Sequence, residues 1–105
     1  MNESQIQNAI CEYLAYRKHF FWRQNNTPVF DAARQVYRKM PKYALKGVPD
    51  IQVVTNPCGQ SVFLEVKKKG GYQSKEQKEF ERNVKERGGE YYVVRSVEDV
   101  QEIGL

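Results

Sequence analysis

The stretch GVPDIQVVTNPCGQSVFLEVK, residues 47–67, decides the fold. Ile51 to Thr55 is rich in β-branched residues and reads as a strand, Asn56-Pro57-Cys58-Gly59 reads as a turn, and Ser61 to Lys67 reads as a second strand. So short a connection makes the pair an antiparallel hairpin. Alternation then puts Phe63, Glu65 and Lys67 on one face, and Leu64 and Val66 on the other. In such a pair the start of one strand lies beside the end of its partner, which brings Asp50 towards Glu65 and Lys67. Two carboxylates held side by side repel one another unless a divalent cation neutralises them, and Mg²⁺ takes a few carboxylates together with several waters. A site of this kind is suited to phosphodiester hydrolysis. The cation neutralises charge on the phosphate and acidifies a water, while Lys67 orients that water or stabilises the transition state. Pro49 fixes φ just before Asp50, and Gly47 permits a close backbone approach. A Glu65–Lys67 ion pair on a solvated sheet face is the competing reading of the same residues.

Downstream of the hairpin, Gly70-Gly71 ends the strand and Ser74-Lys75-Glu76-Gln77 matches a capping box. Gln77, Phe80, Glu81 and Val84 follow at helical spacing until Gly88-Gly89 stops the helix. Tyr91 to Arg95 is the last strand, and Ser96-Val97-Glu98-Asp99 opens a short terminal helix carrying Val100 and Ile103. Upstream, Ile6, Ile10, Tyr13 and Leu14 form one apolar stripe along a helix over residues 3–16. Glu3 falls on that stripe and Glu12 points away from it. Glu3 is therefore either a solvated acid favoured by the helix dipole or a member of a site between helix and sheet. His19 to Arg23 makes a short aromatic strand, in which His19 is a strand-edge residue rather than a catalytic base. The connection from Gln24 to Gly47 is long for so small a domain, and contains either a hairpin or a short helix after Asp31.

With 105 residues, 40% of them hydrophobic, the chain reads as one domain over residues 1–105 with a single core, and disorder is not expected. Its apolar runs reach three or four residues, far below the ~20 needed to span a bilayer, so no membrane partner and a cytoplasmic location are expected. Cys11 and Cys58 lie far apart with no paired spacing, which points to two free thiols. The net charge of +4 is unevenly spread. Residues 16–46 carry eight Lys or Arg against Asp31 alone, +7, whereas the other 74 residues sum to −3. That segment suits either a polyanionic partner or a plain solvated surface. Within it Arg34, Arg38, Lys39, Lys42 and Lys46 alternate with Tyr37 and Tyr43, a mixture that holds phosphates and stacks on bases, or in which the tyrosines pack.

Taken together, Gly47-Val48-Pro49-Asp50, Phe63-Leu64-Glu65-Val66-Lys67, Ser74-Lys75-Glu76-Gln77-Lys78-Glu79-Phe80 and Gly88-Gly89 resemble the VRR-NUC domain, the virus-type replication-repair nuclease branch of the PD-(D/E)XK superfamily. The likeness extends from Glu3-Ser4-Gln5-Ile6-Gln7 to Arg95-Ser96-Val97-Glu98-Asp99. It implies an α/β, restriction-endonuclease-like core, a small mixed β-sheet flanked by helices in the order α-β-β-β-α-β with a short C-terminal helix. The site is then expected on the sheet edge beside the first helix. The resemblance makes Asp50 and Glu65 metal-binding acids, Lys67 the catalytic lysine, Glu3 the helix-borne acid, and Gln77 a residue supporting the acids or touching substrate. The implied activity is a Mg²⁺- or Mn²⁺-dependent DNA endonuclease selective for structure, of a stand-alone phage-type kind, acting on branched or four-way (Holliday) junction DNA as a homodimer. Flap or non-specific cleavage uses the same chemistry. Phosphate contacts are expected from Arg34, Arg38, Lys42, Lys46 and Lys68. A catalytically silent nucleic-acid-binding module would account for the charge but not for the intact Asp50, Glu65 and Lys67. A small-molecule phosphoesterase would lack a glycine-rich phosphate cradle.

Overall fold

The computed structural model describes residues 1–24, 30–37 and 42–105. Arg38 and Lys39, both in the basic segment, lie outside the described residues. The elements are α1 (Glu3–Tyr16), β1 (Phe20–Arg23), β2 (Phe30–Asp31), β3 (Val36–Tyr37), β4 (Ile51–Val54), β5 (Ser61–Val66), α2 (Lys75–Glu86), β6 (Glu90–Val94) and α3 (Val97–Glu102). A four-stranded mixed sheet has the order β1-β4-β5-β6. β1 and β5 each pair antiparallel with β4, and β6 runs parallel to β5 after the α2 crossover. This is the expected restriction-endonuclease-like α/β order. Among the described residues of the long connection between β1 and β4, Phe30–Asp31 and Val36–Tyr37 pair as a hairpin, β2 against β3, and none is helical.

Alternation along the strands assigns the two sheet faces. Ile51, Val53, Val62, Leu64, Val66 and Val94 join Ile6, Ile10 and Leu14 of α1 and Val100 of α3 in one buried cluster. The three α1 residues recur every four positions, so one stripe of the helix enters the core against β5 and α3. Asn2 fixes the start of α1. Its Oδ1 accepts from the Gln5 amide at 2.8 Å, and the Gln5 side chain accepts in return from the Asn2 amide at 2.9 Å. Glu12 faces away from the core and is exposed.

On the opposite face α2 covers β5 and β6, with Phe80 packed edge-on to Phe63 at 5.4 Å and tilted against Tyr91 at 6.3 Å. A capping box at Ser74 starts this helix, and a Schellman closure ends it. There the Gly89 and Gly88 amides donate to the Val84 and Lys85 carbonyls at 2.9 and 3.1 Å. His19 donates to the Leu105 carbonyl at 2.8 Å, at the end of β1 remote from Asp50, which gives it a packing role. Cys11 and Cys58 are both free. Among the described residues no helix is long and apolar enough to cross a membrane.

Candidate active site

The pairing of Ile51 with Leu64 puts Asp50 opposite Glu65, at one end of the two central strands rather than on an outer edge. Asp50 is held from both sides. Its Oδ2 accepts from the Val66 amide at 2.8 Å, its carbonyl accepts from the Gln24 amide at 2.8 Å, and the Gln24 side chain donates to the Pro49 carbonyl at 3.2 Å. Pro49 is fully buried, and Gly47 brings the preceding backbone against the first turn of α2. The close approach expected of Gly47 is thus to the helix that carries Gln77.

Among the described residues, Glu65 is the buried charged side chain, 2% exposed. Its Oε1 accepts from Gln77 Nε2 at 3.1 Å and lies 4.0 Å from the Lys67 ammonium. Its Oε2 is buried with no hydrogen-bond partner. A carboxylate oxygen taken out of water with nothing to accept from is costly, and such atoms mark places where something further binds. Burial is the largest influence on this group. With the Asp50 carboxylate within hydrogen-bonding reach, and Glu3 adding to it, burial pushes Glu65 up to about 9, against the pull of Lys67. Lys67 itself is mostly covered, its side chain 12% exposed.

Gln77 serves two purposes at once. As the third residue of α2 its Oε1 accepts from the Ser74 amide at 2.7 Å while its own amide donates to Ser74 Oγ at 3.1 Å. The capping box therefore fixes which way the side-chain amide points, and leaves Nε2 as the end facing Glu65. Tyr91 lies below, its hydroxyl accepting from Gln73 Nε2 at 3.3 Å. Burial holds the Tyr91 phenol above its ordinary range, opposed by that hydrogen bond and reinforced by Glu65, Glu81 and Asp50.

Glu3 stands half-buried in the first turn of α1, within electrostatic reach of Glu65. Its Oε2 lies 3.6 Å from where a Gly71 side chain would begin, an ordinary van der Waals distance, while the Lys68 carbonyl is closer at 3.1 Å. Among the described residues no three His, Cys, Asp or Glu side chains gather closely enough to hold an ion by themselves. The fit to a divalent cation rests instead on two carboxylates, one with an orphaned oxygen, with water filling the remaining positions as Mg²⁺ prefers.

Lys68 and Lys69 are exposed on the turn that follows β5, closed by the Gly71 amide donating to the Lys68 carbonyl at 2.9 Å. Arg95 clamps that turn, donating to the Lys68 and Gly71 carbonyls at 2.8 and 3.0 Å. Nothing in the sequence spacing assigned Arg95 this task, since the two partners are 27 and 24 residues away. Arg34, Lys42 and Lys46 are exposed, with Lys42 placed over the Tyr43 ring at 5.2 Å. Lys46 lines a groove of about 580 Å³ along α2 with Leu45, Phe80 and Val84.

Fold and site together define an α/β domain of the restriction-endonuclease type, with an acid pair and a lysine where two central strands end. The VRR-NUC domain family model matches residues 1–98. A solved structure titled as a VRR_NUC domain superposes with a TM-score of 0.66 over 96% of this chain and 91% of that one at 22% identity, which shows the common fold. No curated protein matches the chain. The chain belongs to the VRR-NUC family, and is a nuclease-type domain.

Proposed function

We propose that this domain is a Mg²⁺- or Mn²⁺-dependent, structure-selective DNA endonuclease. The observation that carries the reading is Glu65, a buried acid with an orphaned Oε2, beside Asp50 and 4.0 Å from the Lys67 ammonium. An acid pair placed this way keeps a proton or takes up a cation to relieve its repulsion, and a divalent cation replaces that proton when it binds. Asp50 and Glu65 would hold it, with Glu3 close enough to contribute through water. When bound, a divalent cation neutralises charge building on the scissile phosphate and acidifies water. The chain's own residues do the rest. Gln77 keeps the Glu65 carboxylate aimed through a donor whose orientation the helix cap has set. The Lys67 ammonium supplies charge and a hydrogen-bond donor to the phosphate oxygens. Lys68, Lys46, Lys42 and Arg34 hold the flanking phosphates. Branched DNA, and a four-way junction in particular, is the preferred substrate. Two symmetric nicks in a junction need two sites related by a two-fold axis, so this substrate entails a homodimer.

The test is cleavage of end-labelled four-way-junction, flap and linear duplex DNA with Mg²⁺ or Mn²⁺. Products are expected to depend on the cation, and to fall at least ~10²-fold in Glu65→Ala and Lys67→Ala, the scale at which preorganised electrostatic groups act. Sedimentation of the protein over a concentration series checks the dimer. Metal-independent, salt-sensitive binding without products would replace the nuclease reading with a silent binding module.

Gln77→Glu separates capping from chemistry. Glutamate also completes a capping box, so the helix start is kept, while the carboxylate it brings to Glu65 lowers the Tm in metal-free buffer and Mg²⁺ restores part of it. The donor to Glu65 is lost and a third carboxylate is added, so cleavage should fall ~10–100-fold, as it does when groups that orient metal-binding acids are removed. An unchanged rate would mean that Gln77 only caps the helix.

A further inference from the structure

Among the described residues, elements cover only half of the sheet face that carries the acid pair. Residues directly opposite in a sheet share a face, so the row Tyr91–Phe63–Gln52–Trp22 runs across one side, followed along the strands by Glu65–Asp50–Gln24. α2 covers the Tyr91–Phe63 end of the first row. At the other end, on the outer strand β1, Phe20 is 69% exposed and Trp22 39%, their rings 5.6 Å apart and tilted by 58°. Large apolar side chains paired in the open on one face of a small domain mark a binding surface. At ~4.8 Å per strand and ~3.4 Å per residue, Trp22 lies roughly 12 Å from Glu65 along the same surface. That span is roughly three to four base steps at the ~3.4 Å rise of one strand.

We infer that Phe20 and Trp22 form a stacking platform for an unpaired nucleotide on the strand held at the acid pair. In taking DNA as the ligand this rests on the nuclease reading above. Every base has two π faces, but in a duplex both are occupied by neighbouring bases, so an exposed aromatic pair selects a strand that is unpaired. The charge of the sequence segment that contains β1 agrees. Residues 16–46 carry +7, which attracts a polyanion and repels an identical segment brought up across a two-fold axis. The platform thus gives the domain a way to distinguish a flap or an opened junction arm from plain duplex, using the same sheet face that carries Glu65 and Lys67.

Trp22 is the only tryptophan of the chain, so its emission reports on this surface alone. Fluorescence of the full-length protein is followed in EDTA on titration with single-stranded oligonucleotide, flap DNA and blunt duplex, alongside cleavage of the same DNAs with Mg²⁺. The expected result is quenching by single-stranded and flap DNA and little change with blunt duplex. Phe20→Ala should reduce the preference for flap over duplex binding at least ~5-fold, the low end of one stacking contact, with Phe20→Tyr restoring it. Thermal melting confirms that both variants fold. Cleavage that proceeds while flap DNA leaves Trp22 emission unchanged overturns the platform and leaves the nuclease intact. Quenching without any cleavage upholds the platform and removes the nuclease. A shift in emission with protein concentration in the absence of DNA assigns the surface to a second copy of the chain and overturns the inference.

Discussion

In metal-free buffer the Glu65→Gln variant should be more stable than the wild type above pH 6, although it has lost its activity. The buried, acid-flanked carboxyl of Glu65 is pushed up to about 9 in the folded state, from an ordinary value of 4.5 when unfolded. Between those values the native chain keeps a proton that the unfolded chain has released. Stability therefore falls as pH rises through this window, with a slope approaching ~1.4 kcal/mol per pH unit, the limit for one proton. Glutamine has no proton to lose. Its carbonyl can accept from Gln77 as Glu65 Oε1 does at 3.1 Å, and its amide can donate to the neighbouring Asp50 carboxylate. Thermal unfolding in EDTA at pH 5.5 and 8 should show a large fall for wild type and a small one for the variant. Added Mg²⁺ should reverse the order at pH 8, raising the wild-type Tm and leaving the variant unmoved. Equal pH profiles for the two proteins would mean that Glu65 is not the strained group.

The same residue shows where sequence reasoning ran short. The hairpin was legible because β-branched runs and a proline-containing turn are local signals, and the register that follows from it brings Asp50 to Glu65. Helix α1 was legible to its last residue, because three buried positions at a spacing of four leave no other period. Burial of Glu65 was not legible. Alternation puts it on the face opposite Leu64 and Val66, and whether that face is wet depends on α2, which packs there through Phe80, fifteen residues later. A surface ion pair with Lys67 was therefore the readier reading of the tripeptide alone, and the tertiary fold, which buries Glu65, decides against a solvated face. Gln77 was legible as a cap, while its second hydrogen bond is a long-range contact that no local pattern encodes. The hairpin of β2 and β3 has strands of two residues each, too short to show alternation at all. The Arg95 clamp and the Phe20–Trp22 pair belong to the same class, since each is defined by which elements become neighbours.

The acid pair is held by backbone packing as much as by side chains, and Gly47 is where that packing is tightest. Its φ is +78°, and a Cβ added there would lie 2.5 Å from both the carbonyl carbon and the oxygen of Glu76 and 2.7 Å from the Gln77 amide nitrogen. These are main-chain atoms of the first turn of α2, which the Ser74 cap holds in place, so no side-chain rotation can relieve the contact. Gly47→Ala should cost about 1 kcal/mol for the left-handed backbone and a further ~1–3 for overpacking. In a domain of this size that lowers the Tm by roughly 10–20 °C. Gly59→Ala provides the comparison, because Gly59 also has positive φ, +67°, but nothing lies within 4 Å of its added Cβ. It should show the backbone cost alone. The two variants should differ in cleavage as well. Separating the Gly47 loop from α2 moves Asp50, three residues on, away from the glutamine that aims Glu65, so Gly47→Ala should lose activity even at temperatures where it remains folded. Gly59→Ala lies in the turn at the far end of the hairpin and should keep its rate. Equal losses of Tm in the two variants would show that the loop yields to the extra carbon, and that the site tolerates more movement than the close contact with α2 implies.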